Sequence, residues 1–282
     1  MATLPVRQRA FVDFGSESPA ATASGQQLLA RAHRFTVEWL TFGVGEPRTF
    51  ASSKESLVLV SDGLVRVHSS GERFEIPTDA VAIVPAGTHE LQGEGGSRCA
   101  VIASQRSDLR GRHLLNEGDY ADDPEFMHVS TPGFRRRERL VRPQVLTFDQ
   151  IKASADKPRL RMLQTETMSI NVVGYLGPRD RSTLSPHSHT EFEQGSLALR
   201  GDFIHHLRTP WGSNADQWRD DEHLPAGSPS LVVVPEHVIH TSEGVHDGQH
   251  LLVDIFSPPR ADFIAAGWVF NSGDYSSAGT HA

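Results

Sequence analysis

Apolar residues in this chain fall in short runs. Leu57-Val58-Leu59-Val60, Val81-Ala82-Ile83-Val84, Leu231-Val232-Val233-Val234 and Leu251-Leu252-Val253 are each rich in β-branched residues, with Gly, Pro, Asp or Ser close by. Runs of this length and punctuation predict strands closed by turns. Segments with a 3.6-residue apolar period are scarce, and the best helical candidate is the short piece Phe148 to Ala155. Many short strands with frequent turns predict an all-β protein, a barrel or sandwich.

The pattern repeats. Gln194 and six further residues precede Gly201, and an apolar run ending at Pro235 follows; Ser56 and six further residues precede Gly63, and an apolar run ending at Pro85 follows. Similarity at about half the chain length points to duplication of one β module. We expect a tail or arm over 1–30, with Ser16 to Gln27 rich in Ala, Ser and Gly. A first module is expected over 31–110 and a second over 155–275. Between them, 111–154 is polar and charged, and serves as a linker or supplies strands that cross between modules.

Composition narrows the function classes. The chain has 282 residues, 38% hydrophobic and 22% charged, as expected of a globular protein. Its net charge of −8 argues against nucleic acid or an anionic membrane surface as a partner. The basic run Arg135-Arg136-Arg137 reads as a solvated loop. The single cysteine, Cys99, cannot form an intrachain disulfide, which favours the cytoplasm. No apolar stretch approaches a membrane span and no secretory signal is evident.

The chemistry concentrates in the second half. In Pro186-His187-Ser188-His189 the two imidazoles lie at i and i+2, on one face of a strand. Gln194 follows five residues on, and His240 closes the later stretch Pro235-Glu236-His237-Val238-Ile239-His240. Neutral imidazole is a common ligand for divalent transition metals, so these four residues form a candidate shell around one ion: Fe, Zn, Ni or Mn. Gln194 stands at an odd offset from His189, so a turn or bulge between them is needed for it to face the same way. Glu193, one residue off, is the competing ligand. In the first half, counting from Gly63 and Pro85, the corresponding positions are Thr49, Ala51, Ser56 and Glu90, with His89 one residue early; this predicts a module without a metal.

These residues carry a resemblance. His187-x-His189-x4-Gln194-x6-Gly201 with Pro235-x4-His240 resembles the two-part signature of the cupin superfamily, with Gln in place of the usual Glu and His237 in place of the glycine of Pro-x-Gly-x-x-His. It implies a bicupin: two double-stranded β-helix (jelly-roll) barrels, with His187, His189, Gln194 and His240 as metal ligands in the second only. The stretch Asp254-Ile255-Phe256-Ser257-Pro258-Pro259-Arg260 resembles the KdgF-type cupins of pectin and alginate breakdown. That implies Asp254 as general acid or base, Arg260 as a carboxylate clamp and Phe256 as a pocket wall; a brace between Asp254 and Arg260 is the plainer reading. Tyr175, Arg200 and His206 are further candidates for the interior, and Trp211 to Trp218 reads as an insertion, either a lid over the mouth or a loop anchored by two buried tryptophans.

Three functions follow. The first is a metal-dependent Lewis-acid enzyme, an isomerase, ketonizing enzyme or lyase, acting on a small hydroxy or keto acid. The second is a mononuclear Fe(II) dioxygenase of the cupin type, and the third a bicupin that binds a small molecule without turnover. A small-molecule substrate and a possible homo-oligomer, a dimer in the simplest case, complete the expectation.

Overall fold

The computed structural model describes residues 7–16, 25–104, 106–120 and 133–277. Most of the Ala-, Ser- and Gly-rich stretch lies outside them. The chain divides into two compact units, Met1–Glu17 with Val172–Phe256 and Ser18–Asn171 with Ser257–Ala282. The units are therefore drawn differently from the sequence expectation. Ala10–Asp13 and Gly25–Arg31, both expected in a tail, are strands, and 155–171 and 257–277 group with the first module.

The N-terminal module packs a six-stranded antiparallel sheet against a four-stranded one. The first runs Gln144–Thr147, Ala80–Val84, Ser56–Asp62, Arg98–Ala103, Thr36–Phe42, Gly25–Arg31; the second runs Arg48–Ser52, Gly87–Gly93, Val65–Ser69, Glu72–Ile76. The edge strand Gln144–Thr147 comes from the expected linker and pairs with Ala80–Val84. Alternation is clean in Val65–Ser69, where Val65 and Val67 are buried and Arg66 and His68 lie at the surface side. They meet Leu40, Phe42, Phe50, Val58, Val60 and Cys99 in the core. Burial pushes the Cys99 thiol up, so this cysteine is a packing residue.

In the C-terminal module Ala10–Asp13, Ser230–Val234, Gln194–Arg200 and Gln249–Phe256 are adjacent strands of one sheet, and the strand Ser169–Leu176 follows. A second sheet has the order Glu222–Gly227, Asp202–Arg208, Ile239–Val245. Leu207, Ala226, Val232, Val234 and Val238 fill one part of its interior. Ala198, Phe203 and Leu252, with Tyr175 against them, fill another.

The repeat is real at the level of register. Ser56 pairs with Val84 as Gln194 pairs with Val234, and Thr49 pairs with Glu90 as His187 bridges to His240. Gly63 and Gly201 turn the matching tight hairpins with φ of 73° and 85°. A Cβ at Gly201 would meet the Gln249 carbonyl at 2.9 Å, so the position requires glycine.

Two expectations give way. Only Phe148–Gln150 of the expected helix forms, as a single 3₁₀ turn. Eight residues are too few to sustain a helix alone, and Phe148 and Ile151, three apart, are both drawn into the core. The short Ala261–Ala265 is the one α-helix among the described residues, and no helix there is long and apolar enough to cross a membrane. The basic run is not a solvated loop: Phe134–Arg136 is a strand paired with Tyr275–Ser277, and Arg136 meets Glu55, Tyr275, Gln144 and Asp274.

Glu55 sits at the centre of that contact set. It is 5% exposed and accepts from Arg136 Nη1 at 3.2 Å, the Tyr275 hydroxyl at 2.9 Å and the Glu166 backbone N–H at 3.1 Å. Burial raises its carboxyl above the usual range, outweighing the Arg136 charge. The folded chain therefore holds this proton more tightly than the unfolded chain. Its contribution to stability is complete below the ordinary carboxylate value and is lost as pH rises through the folded value. Urea midpoints measured from about pH 4.5 upward towards neutrality should fall in the wild type from this group and fall less in Glu55→Gln; parallel slopes would reject the assignment.

Candidate metal centre

His187 and His189 are carried by a stretch that docks onto the start of Ile239–Val245. The His187 N–H donates to the His240 carbonyl at 3.0 Å, the His240 N–H returns to His187 at 2.7 Å, and the His237 N–H donates to the His189 carbonyl at 2.6 Å. The turn that brings His240 round places His237 at φ 69°, the left-handed region where the cupin signature has glycine. Bends at Thr190 and Glu191 change the phase of the chain before Gln194–Arg200 begins. Gln194 then faces the histidines, as the odd spacing required.

The ring nitrogens of His187, His189 and His240 lie within 4.8 Å of one another. Gln194 Oε1 is 3.0 Å from His189 Nε2 and 3.2 Å from His240 Nε2. Proton positions follow from the partners behind these atoms. His187 Nδ1 is 2.9 Å from the Ser185 carbonyl, and His240 Nδ1 is 2.9 Å from the Val238 carbonyl. A carbonyl only accepts, so both protons sit on Nδ1 and both Nε2 atoms are bare. Gln194 Nε2 donates to Asp254 Oδ1 at 3.0 Å and to Ser196 Oγ at 3.2 Å, which fixes the amide with its oxygen toward the imidazoles. The His240 Nε2 lone pair thus faces the Gln194 oxygen with no hydrogen to share. A divalent cation fits that donor set, and His187, His240 and Gln194 each have a partner behind them that orients the donor atom.

Burial lowers the His240 pKa to about 4, and the neighbouring His187 adds to this; the ring is neutral at physiological pH, the form that ligates. Around His189 the rings of Phe192 and Phe256 lie at centroid distances of 4.8 and 5.6 Å, and 5.7 Å from each other. Both phenylalanines are buried, so one side of the histidine cluster is an aromatic wall.

The other sequence candidates are distributed differently. Asp254, directly opposite Ser196 in the register, accepts from Gln194 and Ser196. The Arg260 guanidinium forms a two-point pair with Asp262, at 2.8 and 2.6 Å, and lies 3.6 Å over the Phe263 ring. Arg260 belongs to the other compact unit. Tyr175 stacks on His250 at 5.1 Å, and Arg200 reaches Gln249 Oε1 at 3.4 Å on the exposed side. His206 is not interior: alternation along Asp202–Arg208 turns Phe203, His205 and Leu207 inward and His206 to the opposite face. Trp211 and Trp218 stack on each other at 4.5 Å and are both exposed, so they do not anchor the loop by burial.

Sequence reasoning missed Ser196 and His205. Ser196 was legible, two residues after Gln194 and so on its face. His205 was legible in the same way from Phe203 and Leu207. It is 1% exposed, with Nδ1 2.9 Å from Ser242 Oγ, and burial first, then His240 and His206, lowers its pKa to about 3.

No protein-family model and no curated protein sequence matches the chain. Solved structures do. Oxalate decarboxylase of Lactobacillus farciminis in its formate complex shares 14% identity, covering 91% of this chain and 90% of that one at a TM-score of 0.59. A deletion mutant of Bacillus subtilis oxalate decarboxylase shares 12%, covering 92% and 80% at 0.58. Procruciferin, the 11S globulin of Brassica napus, shares 10%, covering 90% and 85% at 0.58. The fold is that of a bicupin. At these identities the likeness speaks for the architecture alone. In the register of the N-terminal module Thr49 and Glu90 stand where His187 and His240 stand in the C-terminal one, but alternation along Gly87–Gly93 turns His89, expected to face away, inward and puts Glu90 at the surface.

Proposed function

We propose that the C-terminal module is a single-metal centre, held by His187, His189, Gln194 and His240, acting on a small hydroxy or keto acid or a related oxygenated metabolite. The observation that carries this is the meeting of three imidazoles and the Gln194 amide oxygen, with the proton-bearing sides of His187, His240 and Gln194 already committed to other partners. A divalent ion bound there would supply Lewis-acid polarisation of a substrate oxygen. All four ligands are neutral, so none offsets the ion's charge, and an anionic, oxygen-rich substrate is favoured. The aromatic wall of Phe192 and Phe256 keeps water from that side of the site.

Asp254 has two parts in this reading. It holds the Gln194 amide in the ligating orientation, and its carboxylate is the acidic group next to the ligands that could carry a proton during ketonization or elimination. The N-terminal module, with Thr49, Ala51, Ser56 and Glu90 at the matching positions, is proposed as structural. Arg260, paired with Asp262, is the weakest part of the KdgF-type resemblance. The two-module architecture shared with the oxalate decarboxylases is in keeping with a small carboxylate as substrate.

The deciding experiment is elemental analysis of chain purified without added metal, followed by an oxygen-electrode screen of keto acids, diketones and catechols. Turnover without oxygen uptake supports the Lewis-acid reading. Iron with stoichiometric oxygen consumption replaces it with a dioxygenase, and tight binding without turnover replaces it with a binding protein. A separate variant probes the positioning role. Asp254→Ala frees the Gln194 amide and should weaken metal binding about 10- to 100-fold, the usual cost of losing a group behind a ligand, in a chelator competition titration. Unchanged affinity would leave Ser196 as the sole orienting partner.

A further inference from the structure

A second histidine cluster lies on the outer face of the C-terminal module. In the register of Asp202–Arg208 with Glu222–Gly227, His206 is directly opposite His223, and their Nδ1 atoms are 2.7 Å apart. On the other side His206 Nε2 is 2.9 Å from Glu243 Oε2. The Glu243 side chain is 6% exposed, and Arg181 Nε lies 3.3 Å from its other oxygen. A carboxylate held by an arginine is an acceptor only. The His206 proton is therefore on Nε2, and Nδ1 presents a bare lone pair to the second imidazole.

A carboxylate behind one ring nitrogen, with the other nitrogen bare and turned to a further ligand, is the arrangement found behind metal-bound histidines. We infer that His206 and His223 form a second transition-metal site, chelating one divalent ion through their Nδ1 atoms, with Glu243 as the orienting carboxylate. Metal–nitrogen bonds of about 2.0–2.1 Å across this Nδ1 pair subtend roughly 80° at the ion. That is close to the right angle between neighbouring positions in square-planar or octahedral coordination and well short of tetrahedral. The class of ion indicated is Cu2+ or Ni2+ ahead of Zn2+. His223 is exposed, so solvent completes the coordination. The inference is independent of the proposed function, since none of His206, His223 and Glu243 belongs to the His187 cluster.

The competing account is a plain hydrogen bond between the two imidazoles. Equilibrium dialysis of the untagged full chain against low-micromolar Ni2+, with bound metal counted by elemental analysis, separates the two. Two equivalents are expected in the wild type, one in His223→Ala, and one in a His187→Ala/His189→Ala double variant. Glu243→Gln should weaken the second equivalent about 10- to 100-fold and leave the first. His223 is on an exposed strand position, and circular dichroism with a thermal melt verifies that the variant is folded. One equivalent in the wild type that survives in His223→Ala overturns the inference. One equivalent that disappears in His223→Ala and persists in the double variant upholds it and removes the His187 centre instead.

Discussion

On the metal-centre function proposed above, His240→Ala is expected to lose the bound metal and all measurable turnover while the barrel stays folded. His240 is 4% exposed, its Nδ1 is fixed on the Val238 carbonyl, and its Nε2 faces Gln194 Oε1. Removing it leaves two imidazoles and an amide, and a ligand is worth more than the roughly 10- to 100-fold of the groups behind it. The fold does not depend on the ring. The neighbouring interior is built from Leu207, Ala226, Val232, Val234 and Val238, and the backbone pairing of His187 with residue 240 uses main-chain groups that alanine retains. Metal analysis, far-ultraviolet circular dichroism and an activity assay on whichever substrate the screen finds make the measurement. Stoichiometric metal with full turnover in this variant would end the ligand assignment.

The second large effect is on stability. Arg106→Ala should destabilise the N-terminal module by about 3–5 kcal/mol, the cost of stranding a buried charge. The Arg106 side chain is fully buried; Nη1 reaches Glu38 Oε2 at 2.6 Å and Nε reaches Asp108 Oδ1 at 2.7 Å. Glu38, itself 1% exposed, lies directly opposite Val101 and so shares its inward face. Gln27 Nε2 at 2.6 Å and Arg112 Nη2 are its remaining donors. Truncating Arg106 leaves Glu38 and Asp108 facing one remaining guanidinium, with a void beside the Phe50 ring that Arg106 overlies at 5.6 Å. Arg106→Lys keeps the charge and loses the fork, so it should recover only part of the loss. Urea denaturation reads the effect. A shift below about 1 kcal/mol, the range of a surface pair, would show that this network is solvent-screened.

Much of the C-terminal histidine cluster was legible because its candidate ligands sit on stretches whose geometry the chain dictates locally. Period two puts His187 and His189 together, and the phase change needed for Gln194 is met by the bends at Thr190 and Glu191. The same rule applied to Asp202–Arg208 selects His205 for the interior; His206 falls on the other face with Glu243 and His223. Asp254 was legible as a site residue and illegible in its partner. Nothing in a sequence says that its carboxylate meets Gln194 and Ser196, because that depends on the register of Gln194–Arg200 against Gln249–Phe256. The Phe148 to Ala155 segment failed for a related reason. Weak local preference yields to burial of Phe148 and Ile151, and the third member of its neighbourhood, Gln144–Thr147, is a strand because the edge of Ala80–Val84 needs a partner.

The amino-acid order alone determined the all-β class and the twofold repeat, since side-chain alternation and turn residues are properties of neighbours along the chain. Only the tertiary structure decided that Ala10–Asp13 joins the far module at Ser230–Val234 and that Arg136 is pinned to Glu55 and Tyr275. Those outcomes hang on pairings between residues up to a few hundred positions apart. Hydrogen bonds and charge partners are satisfied in three dimensions, and the linear pattern carries no information on which distant group will arrive.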